Sequence, residues 1–262
     1  MLIDTHCHLA SYRLLEEIEL IVKRACEQDV HAMVTIGTDL DDCRDCLKLA
    51  ETYPNIYATV GVHPTSVTEV TAGDWLQQIE AMAQHPKVVA IGEIGLDYFH
   101  KAPEGWTREN YVARQKDFFR KQLNLAAQLG KNVVVHTRES WEDNVSEVSA
   151  FKGKLRAVFH CHTGSWREAE RVASDGHLVS FTGIATFKNA LEVREAVIQA
   201  KAGQFMLETD SPYLAPVPYR GKRCEPSYVR LIAETIADFR GETVAELSEH
   251  TTATAEAFFG IV

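Results

Sequence analysis

Short apolar runs rich in β-branched residues recur eight times along the chain, at residues 2–5, 32–36, 57–62, 88–91, 132–135, 157–159, 178–181 and 204–207. A stretch of helical character follows each. In residues 14–28, Leu14, Leu15, Ile18, Ile21, Val22 and Ala25 repeat at the i, i+3, i+4, i+7 spacing that gathers apolar side chains on one helix face. Residues 118–129 keep the same rhythm and halt at Gly130, a residue suited to the left-handed turn that closes a helix. Nearly continuous apolar strands alternating with amphipathic helices predict a parallel sheet covered on both faces. Eight such units predict an α/β fold, a (β/α)8 TIM barrel forming one domain over residues 1–262. A doubly wound open sheet is the alternative. Against it, no G-x-G-x-x-G follows any strand, and polar chemistry is spread after strands along the whole length.

Composition narrows the setting. Hydrophobic residues at 45% and charged residues at 24% are ordinary for a soluble globular chain. No apolar run is long enough for a membrane span. The first residues lack a basic segment and Asp4 interrupts their apolar run, unlike a signal peptide, so a cytoplasmic protein is expected. The cysteines are scattered. Cys43-Arg-Asp-Cys46 has redox-motif spacing, but Asp41, Asp42 and Asp45 crowd it and oppose thiolate formation. A net charge of −10 argues against broad binding of long nucleic acid, while leaving room for local positive charge or bound cations.

Barrel active sites lie at the C-terminal ends of the strands, and that rule sorts the histidines. His6 and His8 end the first run, on one face of an extended strand with Cys7 on the other. His63 ends the third, His136 the fifth, and His160 and His162 the sixth. By contrast His31 and His177 precede strands, His85 sits in a connection and His250 in the last helix, positions that suit packing or surface roles. Glu93 ends the fourth run; Glu208 and Asp210 end the eighth. A carboxylate buried among apolar neighbours needs a partner. A salt bridge accounts for one such acid, but four histidines and two acids on one rim match two divalent ions. One would be held by His6, His8 and Asp210, the other by His136 and His160, with Glu93 bridging. Mixed imidazole and carboxylate donors suit Zn²⁺ or Mn²⁺ and tolerate Mg²⁺.

Six segments carry a family resemblance: Asp4-Thr5-His6-Cys7-His8, Gly61-Val62-His63-Pro64, Gly92-Glu93-Ile94-Gly95-Leu96-Asp97-Tyr98, Val135-His136-Thr137-Arg138, Phe159-His160-Cys161 and Leu207-Glu208-Thr209-Asp210-Ser211-Pro212-Tyr213-Leu214. With Arg220-Gly221-Lys222-Arg223 they span nearly the whole chain in order, and the set resembles the TatD family of metal-dependent deoxyribonucleases, among the amidohydrolase-like barrels. The resemblance implies metal ligands at His6, His8, Glu93, His136, His160 and Asp210. It departs from the family at His162, where an aromatic residue is usual, and at Cys224, where Asn is usual.

A water activated by the two ions is expected to attack a phosphodiester in line, with Asp210 accepting its proton. His63 and Arg138 are candidates for contacting the phosphate or stabilising its charge, and Glu208 for orienting a ligand histidine. Residues 97–111 offer Tyr98, Phe99, Trp106 and Tyr111 for stacking on unpaired bases, and residues 211–226 offer Arg220, Lys222 and Arg223 as a compact basic cluster. Strand alternation points His162 to the same face as His160, as a further substrate contact, a residue that supports a ligand, or a position without a role. The expected activity is an exonuclease on single-stranded DNA ends, with no membrane or obligate protein partner. The alternative is amide or ester hydrolysis on the same barrel, by a deacylase or cyclic amidase.

Overall fold

A computed structural model describes residues 1–261. Eight parallel strands follow one another around one sheet: β1 (Leu2–Cys7), β2 (Val30–Ile36), β3 (Ile56–Val60), β4 (Val88–Asp97), β5 (Asn132–Arg138), β6 (Ala157–Phe159), β7 (Leu178–Phe181) and β8 (Phe205–Leu207). The helices outside the sheet are α1 (Tyr12–Leu15), α2 (Ile18–Glu27), α3 (Leu40–Thr52), α4 (Trp75–Ala83), α5 (Arg108–Leu129), α6 (Trp141–Ser149), α7 (Trp166–Ser174), α8 (Leu191–Gln199), α9 (Val229–Arg240) and α10 (Val244–Phe259). All eight apolar runs lie on strands, and the fold is the α/β barrel their periodicity predicts. No helix among the described residues is long and apolar enough to cross a membrane.

The sheet closes on itself between β8 and β1 through a thin seam. One isolated bridge joins Cys7 and Ser211. Beside it, the Asp210 N–H donates to the His6 carbonyl (2.9 Å) and the His8 N–H to the Ser211 carbonyl (2.7 Å). Side chains supply the rest. The Thr5 hydroxyl donates to the Leu207 carbonyl (3.0 Å), and the buried Asp4 carboxylate accepts from the Thr209 N–H (2.8 Å) and hydroxyl (2.6 Å).

Two apolar layers hold the barrel. Leu2, Met33, Val60, Ile91 and Val135 point outward against the helices. Ile3, Val34, Ala90, Val134, Val158 and Met206 fill the interior, and Phe258, Phe259 and Ile261 close it from the N-terminal end of the strands. The opposite end is left to polar groups.

Two strands break the simple alternation on the way to the polar end of the barrel. Ile3 faces inward, so strict alternation would carry Cys7 inward as well, yet Cys7 packs outward. Between the pairs Asp4–Met33 and Cys7–Thr35 β1 advances three residues against two on β2, and this extra residue turns His6 inward. On β4 the pairs Ile91–Val133 and Ile94–Val135 show the same excess, which keeps Ile91 and Ile94 outward and turns Glu93 inward.

Two helices depart from expectation. Residues 14–28 form two pieces, because the chain leaves helical geometry at Glu17, whose carboxylate is held by Arg223 and Arg24. The helix expected at residues 118–129 begins at Arg108, capped by the Thr107 hydroxyl accepting from the Asn110 N–H. Its first turns are mostly polar and carry no apolar stripe. Gly130 closes it in the left-handed conformation, as the sequence predicts.

Candidate metal centre

The strand ends bring His6, His8, Glu93, His136, His160 and Asp210 together, with His63 beside them. Glu93 stands at the middle and divides its two oxygens. Toward Oε2 lie His6 Nε2 (3.5 Å) and His8 Nε2 (3.9 Å). These two nitrogens are 3.4 Å apart, and Asp210 Oδ1 is 3.7 and 3.4 Å from them. Toward Oε1 lie His160 Nε2 (2.7 Å), His136 Nδ1 (2.8 Å) and His63 Nε2 (3.5 Å).

The donor set fits metal ions. Ligand atoms bound tetrahedrally at the usual 2.0–2.2 Å stand about 3.4 Å from one another. The His6–His8–Asp210 group already has that spacing, although two imidazole nitrogens facing each other at 3.4 Å gain little without a shared ion. The group around Oε1 is tighter, drawn into hydrogen bonds. His6 and Glu93 are 0% and 3% exposed, too enclosed for water to compensate their polar atoms.

The cluster sets its own charge. Burial alone would raise the Glu93 carboxyl, but His160 and His63, with hydrogen bonds from His136 and His160, hold it well below the usual carboxylate range. Burial works against a proton on His136 and His160 too. Asp97 and Glu93 outweigh it at His136, and Glu93 and Glu208 at His160, so both are raised. His63 goes the other way: burial and then His136 push it down to about 4.

A second ring of side chains orients the first. Asp97, fully buried, accepts from His136 Nε2 (3.1 Å) and binds the His100 N–H and Nδ1 (both 2.8 Å). Glu208 Oε1 accepts from the Cys161 N–H at 2.7 Å and lies 3.5 Å from His160 Nδ1, which is buried without a hydrogen-bond partner. At His63, Nδ1 accepts from the Thr65 N–H (3.2 Å) and lies 2.6 Å from its hydroxyl. Sequence reasoning missed Asp97 and His100 in these positions. Asp97 lay inside a quoted motif, but only the β4 register shows where it points.

A central cavity of about 900 Å³ opens over the cluster, bordered by Arg138, Thr38, Asp42, Tyr12 and Tyr213. Arg138 caps the Phe99 ring at 3.9 Å. The remaining substrate candidates fall elsewhere. Tyr98 faces an adjoining cavity and donates to Asp143 (2.5 Å). Tyr111 is 1% exposed and cannot stack on a base; Trp106 packs against Arg114 and the core. Arg220 lies over Phe187, and Arg223 is held by both Glu17 oxygens (3.0 Å each); neither borders the central cavity. Nor does His162. The strand has ended at Phe159 and Cys161 takes φ 50°, so alternation no longer governs, and His162 turns aside to Ser165. Instead the central cavity has exposed aromatics that sequence reasoning did not select, Tyr12 and Tyr213, because they sit apart in the chain, one opening α1 and the other in the loop after β8. The four histidines assigned to packing stay away from the site: His85 pairs with Glu51, His250 with Glu242, His31 with Glu256, and His177 accepts from the Ala157 N–H. Cys43 and Cys46 are buried, and burial pushes both thiols up.

Comparison with known proteins identifies the family. Residues 3–260 match the profile of the family described as TatD related DNase. The chain is 36% identical over 265 residues to an uncharacterized metal-dependent hydrolase, YabD, of Bacillus subtilis, covering 100% of each. It is 34% identical over 266 residues to the 3'-5' ssDNA/RNA exonuclease TatD of Escherichia fergusonii, covering 98% of each. The crystal structure of YJJV, a TatD homolog from Escherichia coli, superposes with a TM-score of 0.91 at 25% identity, over 100% of this chain and 98% of that one. Whole-length sequence kinship and a shared barrel lead to one conclusion: the chain belongs to the TatD family of metal-dependent hydrolases.

Proposed function

We propose that the chain hydrolyses phosphodiesters at the ends of single-stranded nucleic acid, DNA first, using a pair of divalent ions. The observation that carries this reading is the division of Glu93 between two donor groups, His6, His8 and Asp210 at Oε2 and His136 and His160 at Oε1. These six residues would hold the ions, Zn²⁺, Mn²⁺ or Mg²⁺. Bound there, the ions supply Lewis-acid charge that favours ionisation of water and stabilises charge growing on phosphoryl oxygens.

The chain's own groups do the rest. Asp210, ionised because His8 and His6 outweigh its burial, accepts the proton of the attacking water. His63 Nδ1 accepts a backbone N–H from Thr65, so in the neutral ring the proton sits on Nε2, aimed at the cluster. Nε2–H is thereby a donor for a phosphoryl or leaving oxygen, which favours a charge-stabilising role over ligation. Arg138 offers a planar guanidinium to a phosphate, braced on Phe99. Phe99, Tyr12 and Tyr213 are 51%, 84% and 50% exposed, and rings so placed stack unpaired bases but find no purchase on a closed duplex. The exonuclease name of the Escherichia fergusonii relative supports the same reading.

The test loads metal-stripped protein with Mg²⁺, Mn²⁺ or Zn²⁺ and compares end-labelled single-stranded DNA, RNA and N-acyl compounds. Stepwise shortening of DNA is expected; hydrolysis of acyl compounds with DNA untouched would make the protein a deacylase or amidase. Glu93→Gln is expected to abolish activity and the two-ion stoichiometry, and retention of two tightly held ions would refute the bridging role.

A further inference from the structure

Beside the central cavity lies a second one of about 430 Å³, within the size range of small-molecule sites. The two share His160, Cys161, Thr137 and Thr163 as walls, so they lie side by side at the same strand ends. The second cavity contains no Lys or Arg, and four acids border it: Glu139, Glu142, Asp143 and Glu168. A phosphate is excluded there. Trp141 and Phe159, 5.2 Å apart between ring centroids, and Tyr98 give it aromatic walls.

Its polar groups are unspent. Trp141 Nε1 and Thr137 Oγ1 are buried without a hydrogen-bond partner, a costly condition unless something fills the cavity. His162 Nε2 lies 3.1 Å from the Ser165 carbonyl, which can only accept, so the ring proton is on Nε2 and Nδ1 keeps its lone pair. The Glu139 carboxylate makes no hydrogen bond or ion pair among the described residues, unlike Glu142 with Arg171, Asp143 with Lys116 and Glu168 with Ser165. The free groups therefore include one fixed donor, two acceptors and the hydroxyls of Thr137 and Thr163, which serve either way.

We infer that this cavity is the base pocket for the nucleotide whose phosphate lies over the metal centre, and that it favours a base with an exocyclic amino group over thymine or uracil. Aromatic walls suit a planar heterocycle. The acceptors His162 Nδ1 and Glu139 suit an amino group such as N4 of cytosine, while the Trp141 N–H suits a ring or carbonyl acceptor on the same edge. Thymine brings a carbonyl oxygen where cytosine brings the amino group, and that oxygen would face an acceptor. This inference rests on the nuclease reading and names the specificity of the same site.

Two measurements test it separately. The first compares kcat/KM for single-stranded oligonucleotides that differ only in a terminal dC or dT, in the wild type and in Glu139→Gln. The dC substrate is expected to be preferred, and the preference to fall roughly fivefold in the variant, as for loss of one partly exposed hydrogen bond to a charged group. The second follows the Trp141 indole N–H by ¹⁵N NMR, assigned through Trp141→Phe, during titration with deoxycytidine or thymidine. Deoxycytidine is expected to shift it at concentrations where thymidine does not. Equal kcat/KM for dC and dT, or cleavage with no nucleoside shifting Trp141, would overturn the pocket while leaving the nuclease. An indole shifted by deoxycytidine in a protein that cleaves no oligonucleotide would overturn the nuclease and uphold the pocket as a heterocycle site.

Discussion

Asp97 shows how a residue outside the cluster can govern it. Burial would favour its protonated form, but His136 and His100 hold the carboxylate well below its usual range, and it in turn fixes which nitrogen of His136 faces Glu93. Asp97→Asn keeps the volume and removes the charge, so His136 loses its orienting partner. Metal affinity is expected to fall about 10–100-fold, the usual cost of losing such a partner. A competitive chelator titration checks this; unchanged affinity for both ions would mean that Asp97 serves only His100. Such residues were hard to read from sequence. His6, His136 and Asp210 announce themselves by strand-end position, whereas Asp97, four residues past Glu93 on the same strand, and Tyr12, on the short helix after β1, carry no spacing that marks them out.

At the scale of elements, β5 and β6 were legible as they stand. Val134 and His136, like Val158 and His160, keep period two from the core to the metal rim. On β1 and β4 the one-residue excess inverts the period, and nothing in the apolar pattern marks where. The fold was thus readable from periodicity, and the ligands of these two strands from position at the strand end, but not the register that aims Glu93. Gly95 belongs to this device. Its φ of 137° is hostile to L side chains, and a Cβ there would stand 2.2 Å from the His136 carbonyl oxygen. Gly95→Ala therefore has to part β4 from β5 where Glu93 meets His136. It is expected to destabilise the protein by more than about 2 kcal/mol and to weaken metal binding. Thermal unfolding and metal titration check it, and a variant with normal melting and two ions bound would show that the strands can absorb the methyl group.

Over the whole molecule, an acidic protein of net charge −10 gathers imidazoles at one end of its barrel and closes the other with aromatic side chains. Without ions, His8, His136 and His160 hold protons above the ordinary imidazole value of 6.5, His8 through Asp210 against its burial. Binding an ion must expel those protons. Apparent affinity is therefore expected to rise with pH through and beyond 6.5 and to be lost as pH falls. Chelator competition between about pH 6 and 9 measures this, and a flat profile would mean that the rings are already neutral in the ion-free protein.

The β8–β1 seam gives the architecture a last consequence. The barrel is a hoop whose clasp carries the candidate metal centre, since His6 and His8 stand on one side of the join and Asp210 on the other, tied to each other by the few main-chain bonds that close the ring. Ions bound by these residues would rivet the join, and occupancy and closure are then expected to rise and fall together. Amide hydrogens of His8 and Asp210 should exchange with solvent faster once a chelator has removed the rivets, while those in the middle of β5 keep their pace.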